Sequence, residues 1–530
     1  ESRFDNYQNG LRLLETNNFK TNSQDFNFRL GMDFFLATHH TLGMLINGNN
    51  ATSDRNLTSK IQISNQNTPN RIDSLLVVNG TSNAKTSRQT YNLNYLYENE
   101  NGRSLNIDID YGKYNNESKR FQPNQYFDDE SELLSEQISR IDAPIEIEIY
   151  TFKIDFQHKL WGGMLGIGSK TSKISTDNTY LFFDYTSDAF KQNNNRSRLF
   201  DYTENVFANY LNYSKGISDK WYLSLGLRSE KTSVNGDLQA FVPELDEPPV
   251  KLDYLNWFPS LGLTWQANEK NNFSFNYGRR INRPNYFILN PFIDQITELS
   301  FEKGNPFLRP EIANNFEIGY SRASNYNFNI FYNRTKDKIT RLVGPDENDS
   351  RATFSTFENL GSQTVFGFNS HITLAVNNWL KTYFNFSGSY IDNQANFDHD
   401  AIIDLQVFSY KIYSQNSVKL GNGFYAEISG YYNGPNIFGG NFKMKPNWSM
   451  DLGLQRKFLN EDLNVRLVAT DIFYQSRFEG VAEFGGLTYF GSGQRDSRRL
   501  SINLAYSFGN QSLKLRNRNQ GLEKEQKRVE

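Results

Sequence analysis

Apolar and polar side chains alternate strictly through much of this chain. Tyr150, Phe152, Ile154 and Phe156 are interleaved with Thr151, Lys153, Asp155 and Gln157. Trp221, Leu223, Leu225 and Leu227 are interleaved with Tyr222, Ser224, Gly226 and Arg228. The same holds for Phe273, Phe275 and Tyr277, and for Leu500, Ile502, Leu504, Tyr506 and Phe508. Successive side chains of a strand face opposite ways, so each segment predicts a β-strand with one greasy and one wet face. A soluble sandwich also alternates, with its apolar face inward. Here the wet face carries Lys153, Asp155 and Arg228 in mid-strand. That suits a wide polar lumen, with the greasy face turned to lipid.

The connections between these segments alternate in length. Short ones fall near 38–41, 99–102, 161–163, 217–220, 266–270, 323–325, 377–379, 421–423 and 459–462. Long ones fall near 51–84, 115–144, 177–200, 232–253, 281–312, 336–363, 393–406, 434–446 and 471–497. Short turns on one rim and long loops on the other are the pattern of outer-membrane barrels, with the long loops extracellular and the short turns periplasmic. Gly162-Gly163 and Gly421-Asn422-Gly423 offer positive φ for tight hairpins. Ser218-Asp219-Lys220 and Asn268-Glu269-Lys270 keep their rim polar. Trp161, Trp221, Tyr222 and Trp379 sit near strand ends, where interfacial girdles place aromatics, although strand propensity accounts for part of the enrichment.

Nineteen strands can be counted, the first near 23–37 and the last at 500–508. The first and last run in the same direction, which an even-stranded antiparallel barrel forbids for neighbours. The expected fold is therefore all-β, a large antiparallel transmembrane β-barrel showing about 19 of 22 strands, the number of plugged transporters, with three lying upstream. Residues 1–22 read as the remnant of an extracellular loop, 23–508 as the barrel, and 509–530 as a charged, solvated periplasmic tail.

Composition sharpens this picture. Mean hydropathy is −0.66 and no stretch approaches the ~20 apolar residues of a spanning helix, yet the chain holds 43 Phe and 30 Tyr. A lipid-facing barrel has a place for them, and a disordered chain does not carry so many. The net charge of −3 gives no basic field for nucleic acid. The absence of cysteine removes disulfides, thiolate metal sites and cysteine nucleophiles. Glu1 opens directly into polar sequence, with no signal peptide pattern.

Candidate chemistry is sparse. His39 and His40 share a short turn, and His158 and His371 fall on strands. Asp398-His399-Asp400 is the one ligand-like cluster, and it reads better as a solvated loop tip. The acidic run Asp128-Asp129-Glu130 with Glu132 reads the same way. No phosphate loop, nucleophile elbow or zinc-protease motif occurs, and no nucleophile, base and orienter stand at recognisable spacing. No enzyme, cofactor or metal site is expected.

The block from Gly278, GRRINRPNYFILNPFIDQITELSFEKGNPFLRPEIANNFEIGY, is the most specific in the chain. It resembles the GNP-x-L-x-PE…E-x-G-Y signature of TonB-dependent receptor barrels. The matching positions are Gly304, Asn305, Pro306, Leu308, Pro310, Glu311, Glu317, Gly319 and Tyr320. The preceding RRINRPNYFILNPF resembles the variant of the Bacteroidota-type outer-membrane β-barrel family, as do FRLGMDFFLATHHTLGMLING and residues 202–230. Tyr506 and Phe508 resemble the C-terminal recognition signal of such barrels. Read from its residues, the 278–320 block is a shaped loop: Pro306 and Pro310 cannot donate ladder bonds, and Gly304-Asn305-Pro306 is a turn. Such a loop packs against its neighbours or folds back over the lumen.

The resemblance implies a receptor importing an unidentified ligand, with TonB as its partner through a plug domain that lies before Glu1. The alternative is a barrel subunit of a larger outer-membrane or secretion assembly, with a surface lipoprotein or other subunits as partners. An open pore is a third possibility, since an unplugged barrel of this width leaks. In each case the protein sits in outer-membrane lipid.

Overall fold

The computed structural model describes residues 1–346, 349, 351–396, 402–508 and 521–529. They form a 25-stranded antiparallel sheet and a separate four-stranded sheet. Six strands of the large sheet belong to its loops: Ser2–Gln8, Ala189–Gln192, Asn436–Phe438, Phe442–Met444, Arg477–Phe484 and Leu487–Gln494. The other nineteen follow one another in chain order as antiparallel neighbours, from Leu11–Ala37 to Arg499–Tyr506. Among the described residues the helices are single turns, and no helix is long and apolar enough to cross a membrane.

All nine short turns fall where the sequence puts them, between strand pairs such as Leu133–Leu160 and Gly163–Thr186, or Ile402–Gly421 and Phe424–Asn433. The long connections differ from expectation. Much of 51–84, 115–144, 177–200 and 232–253 is strand, because the hairpins continue far past the length needed to cross a bilayer. Residues 1–22 likewise form Ser2–Gln8 and the first part of Leu11–Ala37 rather than a loop. Where these upper stretches meet water on both faces, alternation fades while backbone pairing continues: Asn50 pairs with Ser87, Thr52 with Lys85, and Asp54 with Asn83.

The two faces sort as alternation predicts. Tyr150, Phe152 and Phe156 point outward and are exposed, while Thr151 is buried inside. Leu225 and Leu227 point out, and Glu230 and Thr232 are buried within. Near the short-turn rim the outward aromatics form a continuous ladder. Ring centroids are 5.7 Å apart for Trp221–Trp265, 5.2 Å for Trp265–Phe273, 4.9 Å for Phe273–Tyr320 and 6.3 Å for Tyr320–Phe328. The ladder runs on through Phe368 to Phe386. This is the girdle expected where an amphipathic ring sits at an interface.

The parity read from the sequence is present in the sheet. Leu11–Ala37 and Arg499–Tyr506 run the same way and do not pair with each other. Towards the long-loop rim, Ser2–Gln8 bridges Leu11–Ala37 to Leu487–Gln494. Below Asn17 this edge has no partner among the described residues, and the wall is not closed.

Candidate functional site

The upper inner wall is apolar rather than wet. Ile141, Ile147, Ile149, Ile174, Phe182, Phe200, Tyr202 and Val234 are all buried and face inward. They are covered by the loop of the specific block, whose Tyr286, Leu289, Phe292 and Leu308 complete one core cluster with them. This loop packs against neighbouring loops and also crosses the lumen. Its strands Ile293–Thr297 and Ser300–Lys303 join Thr353–Asn359 and Ile339–Pro345 of the next long loop in the four-stranded sheet. The result is a lid over the lumen.

The lid is tied at two places. At one, Arg120 donates to Asp294 at 2.6 Å and to the Gln295 carbonyl at 2.9 Å, and Gln122 donates to the Ile296 carbonyl at 3.1 Å. At the other, Gln8 donates to the Ala352 carbonyl at 3.2 Å and Asn441 to that of Val343 at 3.3 Å. Leu299 packs with Leu13, Ile61 and Leu76, and Leu342 with Leu360 and Ile403. Three separate sectors of wall therefore hold one lid.

The motif residues shape the corner where the lid begins. Asn305 bonds through its backbone N–H to the Ile288 carbonyl at 2.7 Å, and its amide donates to the Phe357 carbonyl at 3.0 Å and to Glu358 at 3.1 Å. A Cβ on Gly304 would sit 2.7 Å from the Ile288 carbonyl oxygen, so only glycine fits there. Pro306 and Leu308 are buried and Pro310 is half-buried. Glu311 is buried and accepts bonds from Lys338 at 2.7 Å, the Ile339 N–H at 2.9 Å and Asn282 at 3.1 Å. These bonds join two long loops at their roots. Glu317, Gly319 and Tyr320 lie apart from the corner, on Glu311–Arg322. Glu317 is exposed, Gly319 lies close against Ser274 and Asn329, and Tyr320 belongs to the aromatic ladder and donates to Asn271 at 2.7 Å. Tyr506 and Phe508 are exposed at the end of the last strand, stacked at 6.2 Å.

Beneath the lid is a cavity of about 950 Å³. Lys170, Glu204, Arg228 and Glu230 reach into it from the wall, and Arg283, Glu311, Lys338 and Arg341 from the loops. Several of its charges are paired. Arg283 donates to Glu230 and Thr232, each at 2.8 Å, and Arg228 also bonds Glu230. Arg341 donates to Glu302 at 2.6 Å.

The tail also contributes to the cavity lining. The sequence reads 509–530 as solvated. Residues 521–529 instead pack inside the barrel, with Leu522 and Val529 0% and 2% exposed in the same core cluster as Tyr286. Lys170 donates to Glu525 at 2.7 Å and Arg528 to Glu204 at 3.0 Å. The tail reads as solvated because its partners are hundreds of residues away. The wall half of the cluster was visible in principle: Lys170, Glu204 and Glu230 are charges at inward positions of nearby strands.

The histidines do not converge. His40 contacts the Tyr95 hydroxyl at 2.7 Å, and His371 contacts Asn385 and Tyr383 at 2.7 and 3.2 Å. Asp128 accepts the N–H groups of Glu130 and Glu132 at the tip of an exposed hairpin. Asp398-His399-Asp400 lies outside the described residues. No group of three or more His, Asp or Glu residues arranged to hold a metal occurs among the described residues.

The fold is shared with known receptors. The ferric-catecholate import receptor Fiu of E. coli K12 aligns over 93% of this chain and 81% of its own, with a TM-score of 0.52 at 9% identity. The ferric enterobactin receptor PfeA of Pseudomonas aeruginosa, in a double-mutant form, aligns over 93% and 79%, with a TM-score of 0.50 at 14% identity. At such identities the likeness is one of fold alone, that of a large receptor barrel. No curated protein matches the chain. The model of the outer membrane protein beta-barrel family matches residues 96–506, most of the wall together with both lid loops. The chain belongs to that family, and its place is the outer membrane.

Proposed function

We propose that this barrel is the outer-membrane part of an uptake receptor coupled to TonB. The observation that carries the reading is the lidded lumen: a four-stranded cover seated on three sectors of wall above a polar cavity. An open pore has no use for such a cover, whereas a receptor holds its solute away from bulk water before passing it inward. The fold likeness to Fiu and PfeA, an import receptor for ferric catecholates and a receptor for ferric enterobactin, supports the same reading. The long loops and lid face the exterior and the short turns the periplasm, where TonB engages a plug domain. Basic side chains outnumber acidic ones eight to four in the cavity lining, so the lining favours an anionic ligand.

Deletion of the gene tests the proposal. A growth defect confined to one scarce nutrient, relieved by the intact gene, is the expected result. Unchanged growth on every such nutrient, with the barrel recovered in fixed stoichiometry with a lipoprotein or other outer-membrane subunits, would replace import with the assembly role.

A further inference from the structure

An aromatic cluster built round one arginine lies on the outer face of the tall hairpins. Phe121 of Ser104–Phe127 stands directly opposite Arg140 of Leu133–Leu160, and Arg140 directly opposite Phe183 of Gly163–Thr186. The short strand Ala189–Gln192 folds back on the last of these and brings Phe190 against them. The Arg140 guanidinium lies 4.2 Å from the centre of the Phe183 ring and 5.2 Å from that of Phe190. The Phe190 ring centre is 5.1 Å from that of Tyr185 and 6.4 Å from that of Phe121. The chain neighbours Gln122, Ile141 and Phe182 are buried on the inner side, so the cluster points away from the lumen. Phe121 and Tyr185 are 39% and 42% exposed. Lower on this wall Tyr91, Tyr111 and Tyr150 form an upper girdle, with ring centres 6.1 and 4.9 Å apart. Below the girdle Ile109, Phe152 and Phe156 are exposed on the lipid-facing band. Arg140 lies ten residues beyond Tyr150 on one tilted strand, which sets the cluster about 25 Å above the girdle.

We infer that this outer face is a docking surface for the saccharide of outer-leaflet glycolipid. The surface continues the lipid-facing wall upward and looks sideways, so its neighbour is what the lipid itself carries at that height. A sugar ring presents C–H groups on its faces and hydroxyls round its edge. The exposed aromatic rings take the C–H face through their electron-rich surfaces. The Arg140–Asp142 pair, 3.4 Å apart and partly open to solvent, supplies a donor and an acceptor for the hydroxyls. Between girdle and cluster the wall is acidic: Asp177 stands directly opposite both Glu146 and Asp201. These carboxylates repel bare phosphate, so the direct contact falls to uncharged sugar. The inference rests on the barrel's place in the outer membrane, not on uptake, so either can fail without the other.

The test reconstitutes the barrel, with magnesium present, in vesicles of phospholipid alone, of phospholipid with lipopolysaccharide carrying its full core sugars, and of phospholipid with lipopolysaccharide stripped to its innermost sugars. Hydrogen exchange of residues 183–192 is the readout. Full-core lipid is expected to slow exchange about fivefold, the scale of one aromatic contact, and the other two vesicles to leave it unchanged. Phe121→Ala combined with Tyr185→Ala should abolish the slowing, while heat-dependent gel mobility shows that the variant is a folded barrel. Equal exchange in all three vesicles overturns the inference. Slowing that survives the double substitution, or that the stripped lipid produces in full, overturns it equally. Soluble core oligosaccharide that slows exchange in plain phospholipid vesicles would make this a site for free glycan. Slowing found only in native outer membranes would assign the surface to a protein neighbour, and either result overturns the docking.

Discussion

Two glycines in the hairpin at 161–163 do different jobs, and only one is the job the sequence suggests. Trp161 and Gly162 carry the positive φ of the tight turn, at 50° and 74°. Gly163 does not; it lies so close to its neighbour that a Cβ would stand 2.6 Å from the Ser214 carbonyl oxygen. Gly304 is the same kind of residue at the lid corner. Gly304→Ala is expected to unseat the lid by about 2–4 kcal/mol, since the obstructing atoms are backbone and cannot rotate away. Hydrogen exchange of Ile293–Thr297 and Ser300–Lys303 measures this, and unchanged protection would refute it. Glu358, on the lid sheet, gives a pH dependence. Burial pushes its carboxyl above the ordinary value of 4.5, and the bond from Asn305 offsets this only in part. A raised folded value means that the docked lid binds the extra proton. Its contribution is therefore full below 4.5 and is lost as pH rises through the folded value. Glu358→Gln, which keeps the acceptor for Asn305, should flatten that dependence and protect the lid better at neutral pH. Protection that falls with pH as steeply in the variant would show that Glu358 is not the cause.

At the scale of elements, the strands that cross the membrane and all nine short turns are legible in the sequence. One face there meets lipid and the other a polar lumen, so Tyr150 to Gln157 announce their own geometry. Legibility ends where that contrast ends. Above the membrane the hairpins are polar outside, and inside they face either water or the lid. Ala51 to Asp54 therefore read as loop while they pair as strand. The lid sheet was hidden for another reason: Ser300–Lys303 and Thr353–Asn359 pair in parallel across fifty residues, and neither strand is long enough to show a period. The tail shows the same limit, since a charge looks solvated until its partner is located in space. The element-scale prediction concerns the lid's tether. Arg120→Ala removes its bonds to Asp294 and Gln295. The pair is partly open to solvent, so a modest loss of about 1–2 kcal/mol in lid docking is expected. Proteolysis within 293–303 should accelerate accordingly, and an unaltered cleavage rate would assign the tether to the apolar contacts instead.

For the whole molecule, the medium differs from face to face, and substitutions should report it. Leu225→Arg places a cation in the lipid-facing band and should cost about 2–4 kcal/mol if it lies near the bilayer midplane. Ser224→Arg, one residue away but lumen-facing, should cost far less. The temperature at which the barrel loses its compact gel mobility compares the two, and equal losses would mean that the outward face is not in lipid. The height of the wall has a further consequence. A tilted strand of 28 residues, such as Leu133–Leu160, stands about 65 Å tall, whereas the 12 residues of Asn271–Asn282 reach only about 28 Å. The rim is thus a steep slope rather than a level crown, and the lid grows from its low side and leans against its high side. Ile141, Phe182 and Phe200 on the tall strands would face water without that covering. The tall hairpins and the lid are each other's support, so trimming either leaves the other with a bare greasy surface above the membrane.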